Sequence, residues 1–544
     1  MIKTKIKGKK EKQKGFIQGV LALMIAQAAI KLLGLIYKWY LTNRPGFGDE
    51  GNAIYSAGFS IYALLLTISS TGVPNAVAKL VSENIAKGDY KGAHRIFKIS
   101  FATFSIVGLI GTLILFLGAG YISNVWILIP DAELTLVSLS PSIFFVAIIS
   151  VVRGYFNGRE DMKATAKSQT LEQLFKTILT VLIVEVVAIS SGINTKLMAA
   201  GANLATTLAT IGSFMYLYMY YKVRRKDLAK EIIESRVFPT KSISKTVKNI
   251  LKVSIPMSLS SILTSINRNI DSMTVKRGLQ TFLIESEALK QYGILSGKVD
   301  TLITLPLSFN IAFATALVPA ISASMAKGDE KTANKRVSFS LLVTMLIGMP
   351  CMIGMMIFAE PILQLLFPNA SEGTLIFQVS ALSIIFTVLG QTVNGALQGM
   401  GKIFLPAISL AIGVTVKFIL NLILVPIPQI GAIGAAFATT SCHAIAFFIC
   451  YYELRKNMKL DLTFSKFIVK PILATIIMSI CSYGVYVLLE NQNIGKIATI
   501  ISILIAIIIY TLTIVMLKIF TKEELLMLPY GNKIIDTLEK IKIY

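Results

Sequence analysis

The stretches VVRGYFNGREDMKATAKSQ at 151–169 and TVNGALQGMGKIFLPAISL at 392–410 decide the architecture, because they read as two copies of one pattern. Laid over one another, they put Gly154 and Gly158 on Gly395 and Gly399. Glycines four apart open one face of a helix to close approach by a neighbour. Nearly the same offset carries AKGD at 86–89 onto AKGD at 326–329, and GANLATT at 201–207 onto GAAFATT at 434–440. Six apolar spans separate equivalent positions. An even number returns the chain to the same side, so the halves share one orientation: parallel six-helix repeats around a central cavity, an arrangement suited to transport.

The spans follow from composition. Of 544 residues, 54% are hydrophobic and 15% charged, which excludes an ordinary soluble domain and a disordered chain. Apolar runs of about 20 residues, the length that crosses a bilayer as a helix, recur along the chain. They predict an all-α polytopic membrane protein of fourteen transmembrane helices, two parallel six-helix repeats plus two extra C-terminal helices. The predicted segments are a basic head at 1–15, an N-terminal lobe at 16–221, a linker at 222–247, a C-terminal lobe at 248–452, an extra helix pair at 453–519 and a tail at 520–544. The first span follows the lysine-rich head with no cleavage site and reads as a retained helix.

The net charge of +24 suits nucleic acid at first sight, but its distribution points elsewhere. Basic residues gather in alternate loops, among them 82–95, 157–167, 222–247 and 326–336, whereas 120–133 and 360–373 hold neither Lys nor Arg. The positive-inside rule accounts for this, places both termini in the cytoplasm, and leaves no need for a nucleic-acid partner. The four cysteines, Cys351, Cys442, Cys450 and Cys481, lie in apolar helices without metal or disulfide spacing and read as core residues.

A few cations sit inside the spans, where each costs about 2.5–3.5 kcal/mol on insertion scales. Lys31 and Lys38, seven residues apart, stack on one face of the first helix. Arg268 precedes Asp271 by three, a spacing that permits local pairing. Lys298 precedes Asp300 by two, so those side chains point to different faces. Lys176 has Glu172 one turn before it and reads as a paired structural residue, while its repeat counterpart Lys417 has only Asn421. Glu185 reads as an isolated carboxylate, His94 as a loop residue and His443 as a satisfied core histidine. Spans one, seven and eight are where two such lobes meet. Lys31, Lys38, Arg268 and Lys298 are therefore the candidate substrate-binding cations, with Asp49, Glu50, Asp271, Asp300 and Lys417 as candidate gating or cavity residues. No residue is read as catalytic or as a metal ligand.

The sign of this interior selects among functions. A drug or cation antiporter wants carboxylates in its cavity. Lys and Arg instead suit a lipid-linked diphosphate, whose polar head needs cations while its tail stays in the bilayer. An inside-negative potential favours outward movement of such an anion by about 2.3 kcal/mol per charge per 100 mV. No P-loop is present. The external loops are short and hold Asp49, Glu50, Asp131, Glu133, Glu285 and Glu287 without a His, which argues against an enzyme. A cation antiporter and a non-transporting scaffold of cell-wall synthesis stand as alternatives.

KLLGLIYKWYLTNRPGFGDEGNAIYSAGFSIY at 31–62, GVPNAVAKLVSEN at 72–84, RGYFNG at 153–158 and YGILSGKVDTLITLPLSFNIAFATALVPAISAS at 292–324 resemble the polysaccharide exporter branch of the MATE-like (MOP) superfamily. Within it, the chain is similar to the Gram-positive MurJ-type lipid II flippases and the stage V sporulation protein B group. The resemblance implies an alternating-access flippase in the bacterial plasma membrane, moving undecaprenyl-diphosphate-linked saccharides outward with no cofactor, alongside cell-wall synthesis proteins. It leaves the coupling ion, Na+ or H+, open. It implies cavity cations at Lys31, which matches through the following Leu-Leu-Gly, at Lys38 to within one residue, and near Lys298. The family has arginines on the first helix where this chain has lysines. Asp49 and Glu50 resemble the acidic pair after that helix, and the last two spans resemble those that line a groove for the lipid tail.

Overall fold

The computed structural model describes residues 29–525, apart from 71, 160, 236–238, 240–241, 327–328 and 493–494, together with residue 535. The basic head, the start of the first span and, apart from residue 535, the tail beyond Leu525 lie outside the described residues. Among the described residues, every regular element is helical. The helices are α1 (29–43), α2 (Gly48–Ser70), α3 (Gly72–Ala86), α4 (Tyr90–Tyr121), α5 (Glu133–Gly158), α6 (Met162–Ser191), α7 (Thr195–Ile233), α8 (Ile243–Leu279), α9 (Glu285–Gly293), α10 (Asp300–Ala326), α11 (Glu330–Ile357), α12 (Ala359–Leu366), α13 (Thr374–Ala381), α14 (Ser383–Gly399), α15 (Leu405–Leu424), α16 (Ala432–Asn457), α17 (Lys470–Glu490), α18 (Lys496–Met516) and α19 (Lys522–Leu525). Eleven helical stretches among the described residues are long and apolar enough to cross a bilayer, and this is a multi-pass membrane protein.

The chain parts into two compact units, Met1–Thr301 with Asn421–Ala432, and Leu302–Leu420 with Ile433–Tyr544. This is a partition by compactness; the predicted lobes, 16–221 and 248–452, are a partition by repeat. In the first unit, α7 packs against α5 and α6 and buries a run of small residues, Ala199, Ala202, Ala205 and Ala209. Small residues let helices approach closely where lipid removes the usual hydrophobic drive. On α5, a Cβ at Gly154 or Gly158 would meet the Pro74 or Ala78 carbonyl oxygen of α3 at 2.7 and 2.6 Å. In the second unit, a Cβ at Gly395 on α14 would meet the Ala314 carbonyl oxygen of α10 at 2.7 Å. Gly395 thus does in the second unit what Gly154, aligned with it, does in the first. The outer faces are apolar: Leu109, Leu113 and Leu117 on α4, Leu182 and Val186 on α6, and Leu504 and Ile508 on α18 are all exposed, as contact with lipid requires.

The repeated AKGD has a local cause. Asp89 and Asp329 cap α4 and α11, accepting from Gly92 N at 2.7 Å and Thr332 N at 3.0 Å. Their own amides donate five residues back, Asp89 N to Asn84 O and Asp329 N to Ser324 O. After the glycine pairs, Asp161 N to Phe156 O and Lys402 N to Leu397 O repeat that closure at 2.9 Å each.

Several elements depart from the predicted limits. The span expected over 52–81 is helical over Gly48–Ser70 and Gly72–Ala86, on either side of residue 71, and so runs past both predicted limits. Pro141 lies inside α5 and cannot donate to Val137 O; Ser140 Oγ takes that acceptor at 2.8 Å. The stretch expected over 291–325 comprises the end of α9, a π-helical turn at Ile294–Val299 and α10. The linker expected at 222–247 is largely helical. α7 runs on to Ile233 because RRKDLAKEII is rich in good helix formers, and α8 begins at Ile243. Asp161 accepts from Tyr220 at 2.8 Å and pairs with Arg224 at 2.6 Å, and Arg159 pairs with Glu231; together they staple the extension of α7 to the ends of α5 and α6.

Candidate functional site

The site lies in the first unit, where α1, α2, α6, α8 and the turn before α10 bring charge together. α1 is tied to α6 by Thr177 Oγ1, which donates to Leu33 O at 3.3 Å, and to α2 by Asn52, which donates to Thr42 Oγ1 at 2.9 Å. Lys38 is buried, with its ammonium 4.9 Å from the ring centre of Tyr55. Lys176, also buried, lies 4.6 Å from the ring of Phe59 and 5.1 Å from that of Tyr37. Desolvated cation–π contacts of this kind contribute about 2 kcal/mol. Lys38 and Lys176 feel each other's charge, and Lys38 also feels Asp300 and Asp49. Lys31, half-buried, feels Arg268 and Asp300, both of which are exposed. The result is an open end at Lys31, Arg268 and Asp300, and a closed aromatic end at Lys38 and Lys176.

Lys176 is the residue the sequence misassigned. Glu172 does not pair with it; its carboxylate takes Arg153 Nη2 at 2.8 Å. Arg153 also donates to Ser168 at 2.9 Å and Ser213 at 3.1 Å, a set of bonds that a guanidinium fork can make and an ammonium cannot. Lys176 turns instead into the aromatic cage. The signal available in sequence was Tyr55 and Phe59, four apart on α2 and able to present rings on one face.

Lys298 is placed differently from the other three candidate cations. Its ammonium lies 2.9 Å from Asp49 Oδ2, and the two side chains are 0% and 3% exposed. Gly293 and Gly297 make this approach feasible. A Cβ at Gly293 would fall on the Asp49 carbonyl oxygen, and one at Gly297 would lie 2.7 Å from Asn52 Cβ. Glu50, beside Asp49 in the first turn of α2, is exposed. Asp271 accepts from Asn421 Nδ2 at 2.9 Å, and the same amide reaches Thr274 Oγ1 at 2.9 Å, while Arg268 stays exposed. Lys417 belongs to the second unit and is buried there.

Two further charges were misjudged or missed. Glu185 is not isolated: it pairs with Arg44 at 2.8 Å and accepts from Tyr40. Lys276 is fully buried, donates to Leu128 O and pairs with Glu285 at 2.7 Å, a structural role near the end of α8.

Residues 16–325, more than half of the chain, match the family model described as polysaccharide biosynthesis protein. The chain belongs to that family. A second model, MatE, matches residues 256–423. This polysaccharide biosynthesis family member is 26% identical over 442 residues to the lipid II flippase MurJ of Bacillus subtilis (strain 168), covering 78% of this chain and 79% of the relative. It is 24% identical over 530 residues to stage V sporulation protein B of the same organism, covering 96% and 99%. Among solved structures, the lipid II flippase MurJ in an inward closed conformation superposes with a TM-score of 0.67 at 18% identity, covering 92% of this chain and 99% of that one. An inward-facing multidrug resistance MATE family transporter of the MOP superfamily gives 0.66 at 15% identity, covering 80% and 98%. At such identities the structural likeness carries the fold alone. Together with the sequence relatives, it puts this family member in the MOP superfamily of membrane transporters.

Proposed function

We propose that the protein is an alternating-access flippase that moves undecaprenyl-diphosphate-linked sugar precursors from the inner to the outer leaflet for cell-wall or polysaccharide synthesis. The observation that carries this is the charge of the site. Lys31 feels Arg268 and Lys38 feels Lys176, while of the two carboxylates that Lys31 and Lys38 feel, Asp300 and Asp49, Asp49 is already held by Lys298. Only Asp300 is left to offset the cluster among the groups named. An anionic diphosphate supplies what is missing, and Arg268 and Lys31 at the exposed end are placed to meet it first. The sequence relationship to MurJ and to stage V sporulation protein B supports the same class of substrate. In this proposal fourteen helices span the bacterial plasma membrane as two parallel repeats plus an extra pair, with both termini cytoplasmic; the recurring AKGD caps and glycine contacts support the repeats. The Asp49–Lys298 pair acts as a gate contact and not as a standing part of the diphosphate site.

The test is export in a strain depleted of its own flippase, complemented with Lys31→Ala, Lys38→Ala, Lys176→Met or Arg268→Ala at matched expression. The expected result is loss of lipid-linked precursor from the outer leaflet for each. Full complementation by both Lys31→Ala and Arg268→Ala removes the basis of the proposal. Resistance to cationic drugs on overexpression, abolished by Asp300→Asn, would favour an antiporter instead.

A further inference from the structure

A cavity of about 360 Å³ opens between the start of α4 and the end of α7, on the side where the basic loops gather. His94 and Lys98, four apart on α4, and Tyr218, Tyr221, Lys222 and Arg225, on one face of α7, line it. His94, expected in a loop, is inside α4, wedged against Phe97 and Tyr155 with ring centres 5.9 and 6.2 Å away. Its Nδ1 is buried with no hydrogen-bond partner. The nearby acids are committed elsewhere, Asp161 to Arg224 and Glu231 to Arg159. Among the described residues, Lys98, Lys222 and Arg225 form no ion pair. The cavity also sits at a defined level. Along α7 at the cavity, Met215, Tyr218 and Met219 are exposed and apolar or aromatic, and the chain then reads KVRRK at 222–226. Tyrosine belts followed by Lys and Arg mark the boundary between acyl chains and headgroups.

We infer that this cavity is a binding site for the phosphate group of an anionic membrane lipid, separate from the candidate flipping site. Lys98, Lys222 and Arg225 neutralise the phosphate, the Tyr221 hydroxyl and His94 supply hydrogen bonds, and the acyl chains lie along the exposed face of α7. Inorganic phosphate presents the same chemistry without the chains, so the two sources are separable.

The test uses the full chain in detergent, titrated with phosphatidylglycerol or phosphatidylcholine and read by native mass spectrometry. At about 1 kcal/mol per basic residue near a headgroup, losing three cations weakens retention on the order of 100-fold. Lys98→Gln/Lys222→Gln/Arg225→Gln is therefore expected to lose a phosphatidylglycerol that the wild type retains over phosphatidylcholine. The control Lys248→Gln/Lys252→Gln/Lys331→Gln is expected to keep it, and His94→Phe to lose it in part. Persistence of the lipid in millimolar inorganic phosphate identifies the lipid as the source; displacement by phosphate supports the phosphate site with a soluble source. Equal retention of the two lipids by the wild type, or a loss in the site variant no greater than in the control, overturns the inference.

Discussion

Lys298 Nζ stands 2.9 Å from Asp49 Oδ2 with both side chains sealed from solvent, so one buried ion pair joins the π-helical turn before α10 to the first turn of α2. The position of Asp49 at the start of α2 adds the favourable end of the helix dipole to its charge. Removing one partner leaves an uncompensated buried charge, which costs about 3–5 kcal/mol, whereas replacing both with apolar groups is often neutral. Asp49→Ala is therefore expected to lower the thermal unfolding midpoint in detergent sharply, and Asp49→Leu with Lys298→Met to recover most of it. Measured export separates stability from gating: the recovered double variant is expected to fold but not to export. A double variant that is stable and fully active would assign the pair to structure alone.

The glycines beside that pair give a steric prediction. Gly293→Ala drives a methyl into the Asp49 carbonyl, and no flexible side chain is there to yield. Overpacking of this kind costs about 1–3 kcal/mol. Gly484→Ala, on α17, meets nothing within 4 Å and is expected to be neutral or stabilising, since alanine favours a helix interior by up to about 1 kcal/mol over glycine. Parallel melting curves of the two variants check the contrast.

For Lys176, the partner it does not have is as informative as its surroundings. A double-mutant cycle on Glu172 and Lys176 is expected to show no coupling, while one on Glu172 and Arg153 is expected to give roughly 0.5–3 kcal/mol, the range for residues that share a bond. Lys176→Met is expected to keep the fold, because the cage of Tyr37, Tyr55 and Phe59 is already apolar, and to reduce export at least tenfold. Coupling between Glu172 and Lys176 comparable to that of the Arg153 pair would restore the local-pair assignment.

These cases show which parts of the molecule could be read from the chain. The helices, the AKGD caps and the glycine faces depend on residues within a few positions of one another, so periodicity and spacing expose them. Lys31 and Lys38 were legible for the same reason, as two cations on one face of one helix. The choice of partner was not. Asp49 and Lys298 carry no mutual spacing signal, being far apart in sequence. Glu172 had two cations within reach, Lys176 along its helix and Arg153 on α5, and only packing decides that the guanidinium reaches it. Helix ends also extended past the apolar runs, as in α7, because helix propensity does not stop where hydropathy does.

The final prediction concerns Lys31 and Arg268, like charges that feel each other at the exposed end of the cluster. Their repulsion opposes the folded state when no anion is present. Neutralising one, as in Lys31→Gln, is therefore expected to leave the ligand-free protein as stable as the wild type or slightly more so. A bound diphosphate reverses the balance, because a ligand that binds only the folded state stabilises it by about 2.7 kcal/mol at one hundred times its Kd. Adding an undecaprenyl diphosphate to the wild type is expected to raise the unfolding midpoint in detergent, and to raise it much less in Lys31→Gln or Arg268→Gln. Undecaprenol, which lacks the charge, is the control and is expected to give no shift that depends on these residues. An equal shift in wild type and variants would place the diphosphate away from this cluster.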